Sequence, residues 1–394
     1  MKDNTDLPLR LLAWGALGVA LHVGLARFAY GVVLPSLRTE LGLGYTAAGV
    51  LNGLHLAGYL AGTLTGPWLI RRMGLARLAV SAHGLVALGA CVCALAPVDG
   101  GHGALWLGLG RTATGLGAGP AIMVIMVSVL SSVAERSRAA ASVLMWIGMA
   151  LAILACGLGA PWLLQAGGWR MAFAAAAVVA AVLAVGFPVA QAIPAGNPGD
   201  NAGGTGFVLA SVATPRWAWL VLTYMCFGLG YIAYATFAGT RMAAAGVTIG
   251  VVTSTWTTLG IATLCGGAAT LWLLTKPRLR PFALPAAMGV AAGGCAVAAL
   301  PSAGAALLGA ALVGLCLAAT PALVTAAARS RSSNADYARA FSIATAAMGL
   351  GQLISPILAG ALADWAGSVA APIFGAVAFG LGTVLAMVDR QVNR

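Results

Sequence analysis

Two arginines lie deep inside apolar stretches of the chain, where a charged side chain is rare. Arg27 is within the stretch from Leu11 to Leu37, and Arg111 is within the stretch from Ala104 to Val129. Each stretch is long enough to cross a membrane, because about 20 helical residues span the ~30 Å hydrocarbon core. A guanidinium at the centre of a bilayer costs about 2.5–3.5 kcal/mol on insertion scales, so such a residue usually faces a wet cavity or the interior of a helix bundle.

No acidic residue shares the apolar stretches with these arginines. All nine Asp and Glu residues of the chain lie outside them. A negatively charged small molecule that binds and leaves would balance the two guanidiniums, so the pattern indicates a binding site for an anion. Two other interpretations stay open: Arg111 can contact a backbone carbonyl and act on the conformation, and Arg27 can extend towards the outer membrane interface.

Further polar residues share helix faces near the two arginines. Tyr30 follows Arg27 by three residues, which sets a phenol donor beside the cation. His55 and Asn52 likewise share one face of the second apolar stretch. A neutral imidazole can donate to an anion or carry a proton near neutral pH, although a structural packing role fits the sequence equally well. By helical rise, Arg27 lies about 15 Å and Arg111 about 10 Å from the outer ends of their stretches, so one pocket can include both.

The second half of the chain supplies three more candidate substrate contacts. Tyr231 and Tyr234 belong to an aromatic stripe of helical spacing. Such stripes usually pack helices together, but tyrosine hydroxyls seek polar partners, so both residues are candidates. Gln352 is a weaker candidate of the same kind. We expect these residues to line one central cavity with the arginines.

The composition is typical of an integral membrane protein. Of the 394 residues, 61% are hydrophobic and 8% are charged, and the mean hydropathy of +0.96 leaves too little polar surface for a soluble protein. The seven cysteines form no Cys-x-x-Cys pair, and we interpret them, like His22 and His83, as core residues. No nucleophile–base pair, metal-ligand cluster or phosphate loop is recognisable, so we expect no enzyme activity, metal or cofactor.

Twelve apolar runs follow one another along the chain with short polar breaks between them. They predict an all-α membrane protein with twelve transmembrane helices in two pseudo-symmetric six-helix bundles. We expect an N-terminal bundle over 1–191, a cytoplasmic linker over 192–216 and a C-terminal bundle over 217–394. The runs are 11–37, 45–70, 76–97, 104–130, 140–165, 171–191, 217–240, 247–274, 282–300, 304–328, 338–363 and 369–388.

The basic residues predict the orientation. With the N-terminus in the cytoplasm, most of the 21 Lys and Arg residues fall in cytoplasmic segments, and only Arg38, Arg170 and Arg241 fall outside. The positive-inside rule therefore predicts that both termini are cytoplasmic, in a bacterial inner membrane.

Several motifs resemble those of the major facilitator superfamily. Residues 111–119, Arg-Thr-Ala-Thr-Gly-Leu-Gly-Ala-Gly, resemble its Arg-x-x-x-Gly-x-Gly motif, and residues 157–161, Gly-Leu-Gly-Ala-Pro, are similar to its fifth-helix Gly-Pro motif. A narrower resemblance, to the YbfB/YjiJ-type branch, rests on residues 26–31, Ala-Arg-Phe-Ala-Tyr-Gly, and on residues 349–352, Gly-Leu-Gly-Gln. The resemblance implies a secondary transporter that works by alternating access, and it implies no particular substrate.

One loop departs from the superfamily pattern. Between the second and third helices the superfamily normally carries an Asp before its Arg and Gly, whereas Ile70 or Arg71 takes that place here. The departure removes the acidic partner from the charge latch that the resemblance implies. We expect Arg71, Arg72 and Arg77 to serve mainly as topology and lipid-headgroup anchors.

Residues and resemblance together predict a secondary transporter for a small organic anion. Proton coupling would need His55, a loop-end carboxylate such as Glu40 or Asp364, or protonation of the substrate; anion exchange needs none of these. The alternative is proton-driven efflux of hydrophobic or cationic drugs, and such pumps usually have a membrane-embedded carboxylate. A receptor without transport is a third alternative. Expected partners are the anion, membrane lipids and, in the coupled version, protons; we expect a monomer that binds no nucleic acid.

The orientation can be tested by cysteine labelling in intact cells. We expect a cysteine at position 276 to resist a membrane-impermeant thiol reagent and one at position 99 to react with it, because basic residues crowd the cytoplasmic segments. Lys276→Cys and Asp99→Cys are compared in a background without the seven native cysteines. Labelling of position 276 from outside would contradict both the orientation and the count of twelve spans.

Overall fold

The computed structural model describes residues 9–98, 101–134, 137–190, 215–330 and 334–393, and every regular element in these ranges is helical. Eleven of the described helices are long and apolar enough to cross a membrane. The prediction of an all-α membrane protein is therefore confirmed. Most of the predicted linker 192–216 lies outside the described residues.

The helices follow the predicted apolar runs closely, since each run begins and ends at a polar or glycine-containing break. They are α1 (Leu9–Val19), a π-helical turn (Ala20–Leu25), α2 (Ala26–Leu41), α3 (Tyr45–Ala94), α4 (Gly103–Ser131), α5 (Arg138–Gly167), α6 (Trp169–Ala190), α7 (Pro215–Ala244), α8 (Ile249–Leu274), α9 (Arg280–Ala298), α10 (Ala303–Ser330), α11 (Asn334–Ala366) and α12 (Ala370–Val392).

The helix α3 is interrupted at Gly74. Its 50 residues would extend about 75 Å as one straight helix, more than twice the hydrocarbon thickness. Gly74 has φ 77° and ψ 163°, a conformation that is open to glycine and strained for other residues. The break separates the second predicted run from the third. The count of twelve spans and their grouping into two six-helix bundles stay predictions.

The first apolar helix contains an irregular turn. The elements α1, the π turn and α2 form one continuous span, Leu9–Leu41. Hydrogen bonds in a π turn join residues five apart, which accommodates one extra residue within the helix. The turn contains His22 and ends immediately before Ala26 and Arg27. It therefore sets the directions in which these side chains point.

The chain packs as two compact units. The first unit comprises Met1–Tyr30, Leu54–Ile153 and Trp162–Gly204, and the second comprises Gly31–Gly53, Leu154–Pro161 and Thr205–Arg394. The predicted division into bundles 1–191 and 217–394 stays a prediction.

The first unit has an apolar core formed by α1, α3, α4, α5 and α6. The indole nitrogen of Trp14 on α1 donates to the carbonyl oxygen of Leu183 on α6 at 3.0 Å. Glycines bring α4 into close contact with α3, because a Cβ atom at Gly115 would collide with the carbonyl oxygen of His55. This contact fixes the distance between the helices that carry Arg111 and His55.

In the second unit, α7 packs against α11 and α12, while α10 packs against α8 and α9. The beginning of α3 also belongs to this unit and is capped by α11. The Asp364 carboxylate accepts hydrogen bonds from the backbone amides of Tyr45 and Thr46 at 2.8 and 2.7 Å, and from the Thr46 hydroxyl at 2.6 Å. An acidic side chain suits this position, since the first amides of a helix have no partner within the helix.

We expect Asp364→Ala to lower the free energy of unfolding by about 1 kcal/mol, the usual cost of losing a helix N-cap. Thermal unfolding in detergent measures this effect. Thr46→Val is the matched control, because it removes the hydroxyl contact and keeps both amide contacts, and its loss should be smaller. Equal stability of Asp364→Ala and the wild type would contradict a capping role.

Candidate functional site

Arg111 is buried on α4 and is held against α2. Only 2% of its surface is exposed. Its Nη1 donates to the carbonyl oxygen of Ala26 at 2.9 Å, and its Cζ lies 4.5 Å from the centre of the Tyr30 ring. The backbone-carbonyl contact that the sequence left open for Arg111 is therefore present.

Arg27 is also buried, with 6% of its surface exposed. Its Cζ lies 4.8 Å from the centre of the Tyr59 ring on α3. Each arginine thus lies over a tyrosine of a neighbouring helix, and Arg111 also contacts the residue that precedes Arg27. Arg27, Tyr30 and Arg111, all predicted from the sequence, converge in the first unit.

The contacts described so far join both cations to neutral groups. An aromatic face stabilises a cation by about 0.5–2 kcal/mol, but it leaves the charge in place. The sequence has no Asp or Glu within 7–39, 41–98 or 100–134. The described part of the first unit therefore holds two buried positive charges and contains no acidic residue.

His55 on α3 is fully buried beside Arg111. Its Nδ1 lies 3.1 Å from the Thr114 hydroxyl, which itself donates to the carbonyl oxygen of Arg111 at 2.8 Å. Because a hydroxyl has one proton to donate, His55 Nδ1 must carry a hydrogen, which leaves Nε2 as an acceptor in the neutral ring. His55 in its neutral form therefore has no second N–H for an anion.

The second unit contains Asn52 and the aromatic stripe of α7. The Asn52 side-chain amide donates to the Thr236 hydroxyl at 2.8 Å. Tyr231 stacks on Phe227, with ring centres 4.9 Å apart. Tyr234 is buried, and its hydroxyl has no hydrogen-bond partner among the described residues. This part of the second unit therefore contains both side chains that pack helices together and polar side chains, as the sequence suggested.

Gln352 is buried on α11, where that helix meets α7. A Cβ atom at Gly228 would contact the backbone nitrogen of Gln352, so the two helices lie close together at this level. Beside it, the Ser355 hydroxyl donates to the carbonyl oxygen of Leu229. The assignment of Asn52, Tyr231, Tyr234 and Gln352 to a binding site stays a prediction.

Sequence reasoning did not select three groups that contact the predicted residues. Tyr59 lies four residues after His55, so its shared helix face was a usable signal. Thr114 lies three residues after Arg111 and could have been found in the same way. The Ala26 carbonyl had no signal, because backbone groups cannot be read from residue types.

Comparisons with known proteins concern the whole chain. The family model described as "Uncharacterised MFS-type transporter YbfB" matches residues 19–388. No curated protein matches the chain. Three solved structures share its fold at low sequence identity. The nucleoside transporter NupG has 14% sequence identity and a TM-score of 0.74, with 99% of each chain covered. A bacterial homologue of the human lysosomal transporter Spinster, in an inward-facing and unoccupied conformation, has 16% identity and a TM-score of 0.73, with 99% of this chain and 96% of that chain covered. The D-xylose-proton symporter has 15% identity and a TM-score of 0.74, with 98% of this chain and 97% of that chain covered.

We expect Thr114→Val to lower the free energy of unfolding by about 1–3 kcal/mol, because it leaves the His55 Nδ1–H buried without an acceptor. Thr112→Val is a matched control on the same helix, since the Thr112 hydroxyl bonds only to the Gly108 carbonyl oxygen one turn earlier. Thermal unfolding of both variants in detergent gives the comparison. If the two variants lose the same stability, the described link between His55 and α4 is wrong.

Proposed function

The chain belongs to the YbfB-type family of the major facilitator superfamily, and from this premise we propose that it transports a small organic anion whose charge is bound by Arg27 and Arg111. The transport is of the alternating-access type. The proposed setting is a bacterial inner membrane, with both termini in the cytoplasm.

One observation carries the choice of an anion. Two buried guanidiniums meet at the segment from Ala26 to Tyr30, in a unit whose described residues include no carboxylate. Charge in a low-dielectric interior is expensive, and both charges have the same sign. An anion bound at this segment lowers the energy of both cations at once, and its departure restores the cost. This balance favours reversible binding.

The geometry of the two arginines suits a carboxylate. A guanidinium that lies over an aromatic ring keeps its N–H groups in its own plane, where they can donate in pairs to two oxygens. The Cζ atoms of Arg111 and Arg27 lie 4.5 and 4.8 Å from the centres of the Tyr30 and Tyr59 rings. The phenol hydroxyls of both tyrosines are further donors.

The rival function, efflux of cationic drugs, has less support. Such pumps usually have a carboxylate inside the membrane. In the described ranges the acidic residues are Glu40, Asp336, Asp364 and Asp389, all near helix ends, and Asp364 caps α3. The nucleoside and sugar transporters that share the fold are only 14–15% identical to this chain, so they do not indicate a neutral substrate here.

A thermal-shift screen of the purified protein identifies a binding anion for the decisive test. The panel contains carboxylates, inorganic anions, cationic drugs, a nucleoside and a sugar. For an anion from this screen, Arg27→Gln and Arg111→Gln should each weaken binding by about 1.5–3 kcal/mol, or roughly 10- to 150-fold, because the charge and the bidentate fork are lost. Lysine at either position should recover only part of the affinity.

Arg72→Gln is the matched control, because Arg72 also lies over an aromatic ring, that of Trp68, but is exposed. Its affinity should equal that of the wild type. Equilibrium binding and flux into sealed vesicles are measured for every variant. Wild-type affinity in both buried-arginine variants would overturn the anion site, and slower flux at unchanged affinity would identify Arg111 as a conformational latch. Binding without any flux would point to a receptor.

A further inference from the structure

Three of the four histidines of the chain lie together inside the first unit. His22 comes from the π turn, and His55 and His83 come from α3, before and after its break at Gly74. All three side chains are fully buried. The ring centres of His22 and His83 are 4.9 Å apart, and His22 lies close enough to His55 for an electrostatic interaction. We call these three residues the histidine cluster.

The hydrogen bonds of the cluster leave acceptor nitrogens without a hydrogen-bond partner among the described residues. His83 Nδ1 donates to the Ala79 carbonyl oxygen at 2.7 Å, and His55 Nδ1 donates to Thr114. Both rings therefore present Nε2 as an acceptor. Neither Nε2 atom has a partner among the described residues, and neither does either ring nitrogen of His22. A neutral cluster thus contains three imidazole lone pairs and three N–H groups, of which only that of His22 has no acceptor among the described residues.

The species that such a cluster can bind is a proton. Lone pairs attract cations, and a buried acceptor without a partner is costly. A transition metal would require more ligands, and no group of three His, Cys, Asp or Glu side chains in the described part of the chain is arranged to hold one. A single proton needs only one acceptor nitrogen, and the adjacent rings of His22 and His83 provide two.

Charged and titratable groups from every neighbouring helix bear on this proton. Arg111 from α4 and Arg27 from the first helix act electrostatically on His55. Tyr59 of α3 lies against Arg27, and Tyr30 and Cys93 act on Arg111. The parts of α5 and α6 that pack on the first helix contribute apolar residues and the Leu183 carbonyl. Among the described residues, the charges that act on the cluster are the two guanidiniums beside His55, and they oppose a third positive charge.

We infer that the histidine cluster is the proton-binding site of the carrier and that proton and anion bind together. This inference rests on the proposed anion site. An anion on Arg27 and Arg111 cancels the positive potential that opposes an imidazolium, so the cluster takes up a proton when the anion binds. The coupling is reciprocal, because the protonated cluster must raise the affinity for the anion by the same factor. Binding that is linked in this way makes the protein a proton–anion symporter.

The test measures proton uptake with formate as the probe, because formate is small enough to enter a site shaped for larger carboxylates. Concentrated protein in weakly buffered detergent solution near pH 6.5 receives sodium formate at matched pH, with sodium chloride as the reference. We expect the pH, followed with an indicator dye, to rise by an amount that corresponds to at most one proton per chain. In parallel, formate should raise the unfolding temperature.

Four variants locate the effect. His22→Gln and His83→Gln should each abolish the pH rise while formate still stabilises the protein, and the double variant Arg27→Gln with Arg111→Gln should abolish both responses. His102→Gln is the control, because His102 is exposed, and it should behave as the wild type. Unfolding curves without formate establish that each variant is folded. If one histidine variant does not fold, the other decides.

The outcomes separate this inference from the proposed function. Formate stabilisation that needs the arginines, without a pH rise, would overturn the proton site and leave the anion site intact. A pH rise that persists in both histidine variants would also overturn it. If formate does not stabilise the protein, or stabilises it equally without the two arginines, the anion site and this inference are both rejected. In vesicles, an imposed pH gradient should drive labelled formate uptake in the wild type and not in His83→Gln, which should still exchange formate.

Discussion

A charge buried among apolar helices must be met by groups inside the protein, and this constraint governs the first unit. Arg111 reaches the Ala26 carbonyl and the Tyr30 ring, and Arg27 reaches the Tyr59 ring. These contacts join the first helix to α3 and α4. Glycine supports them, since Gly115 lets α4 approach the backbone of α3 closely. The same close packing brings His55 beside the cations.

In the second unit, the constraint is that the backbone amides at the start of a helix need hydrogen-bond acceptors. The first amides of α3 receive a carboxylate from α11, which is distant in sequence. The sequence suggested Asp364 as a proton carrier because it is one of few acidic residues near a span. In the structure its oxygens are engaged with two amides and a hydroxyl. An acidic residue at a helix end is thus explained by local hydrogen bonding.

The sequence predicted the helices and the superfamily correctly, because long apolar runs and the Arg111 motif are strong signals, and the family match confirms the resemblance. It also singled out Arg27, Tyr30 and His55, which the structure brings together around Arg111. It did not connect His22 with His83, because 60 intervening residues separate two lone histidines on apolar helices. Only the tertiary packing shows that both rings face one another. The tautomer of His55 likewise depends on Thr114, a contact across two helices.

The π turn has a consequence for how this helix tolerates change. Each residue of an α-helix advances the direction of its side chain by about 100°. The extra residue accommodated between Ala20 and Leu25 therefore sets the angular phase of α1 against that of α2. Trp14, bonded to α6, lies on one side of the turn, and Arg27 lies on the other. Loss of a single residue there would rotate α1 relative to α2. The turn therefore constrains the number of residues in this helix more than it constrains their identities.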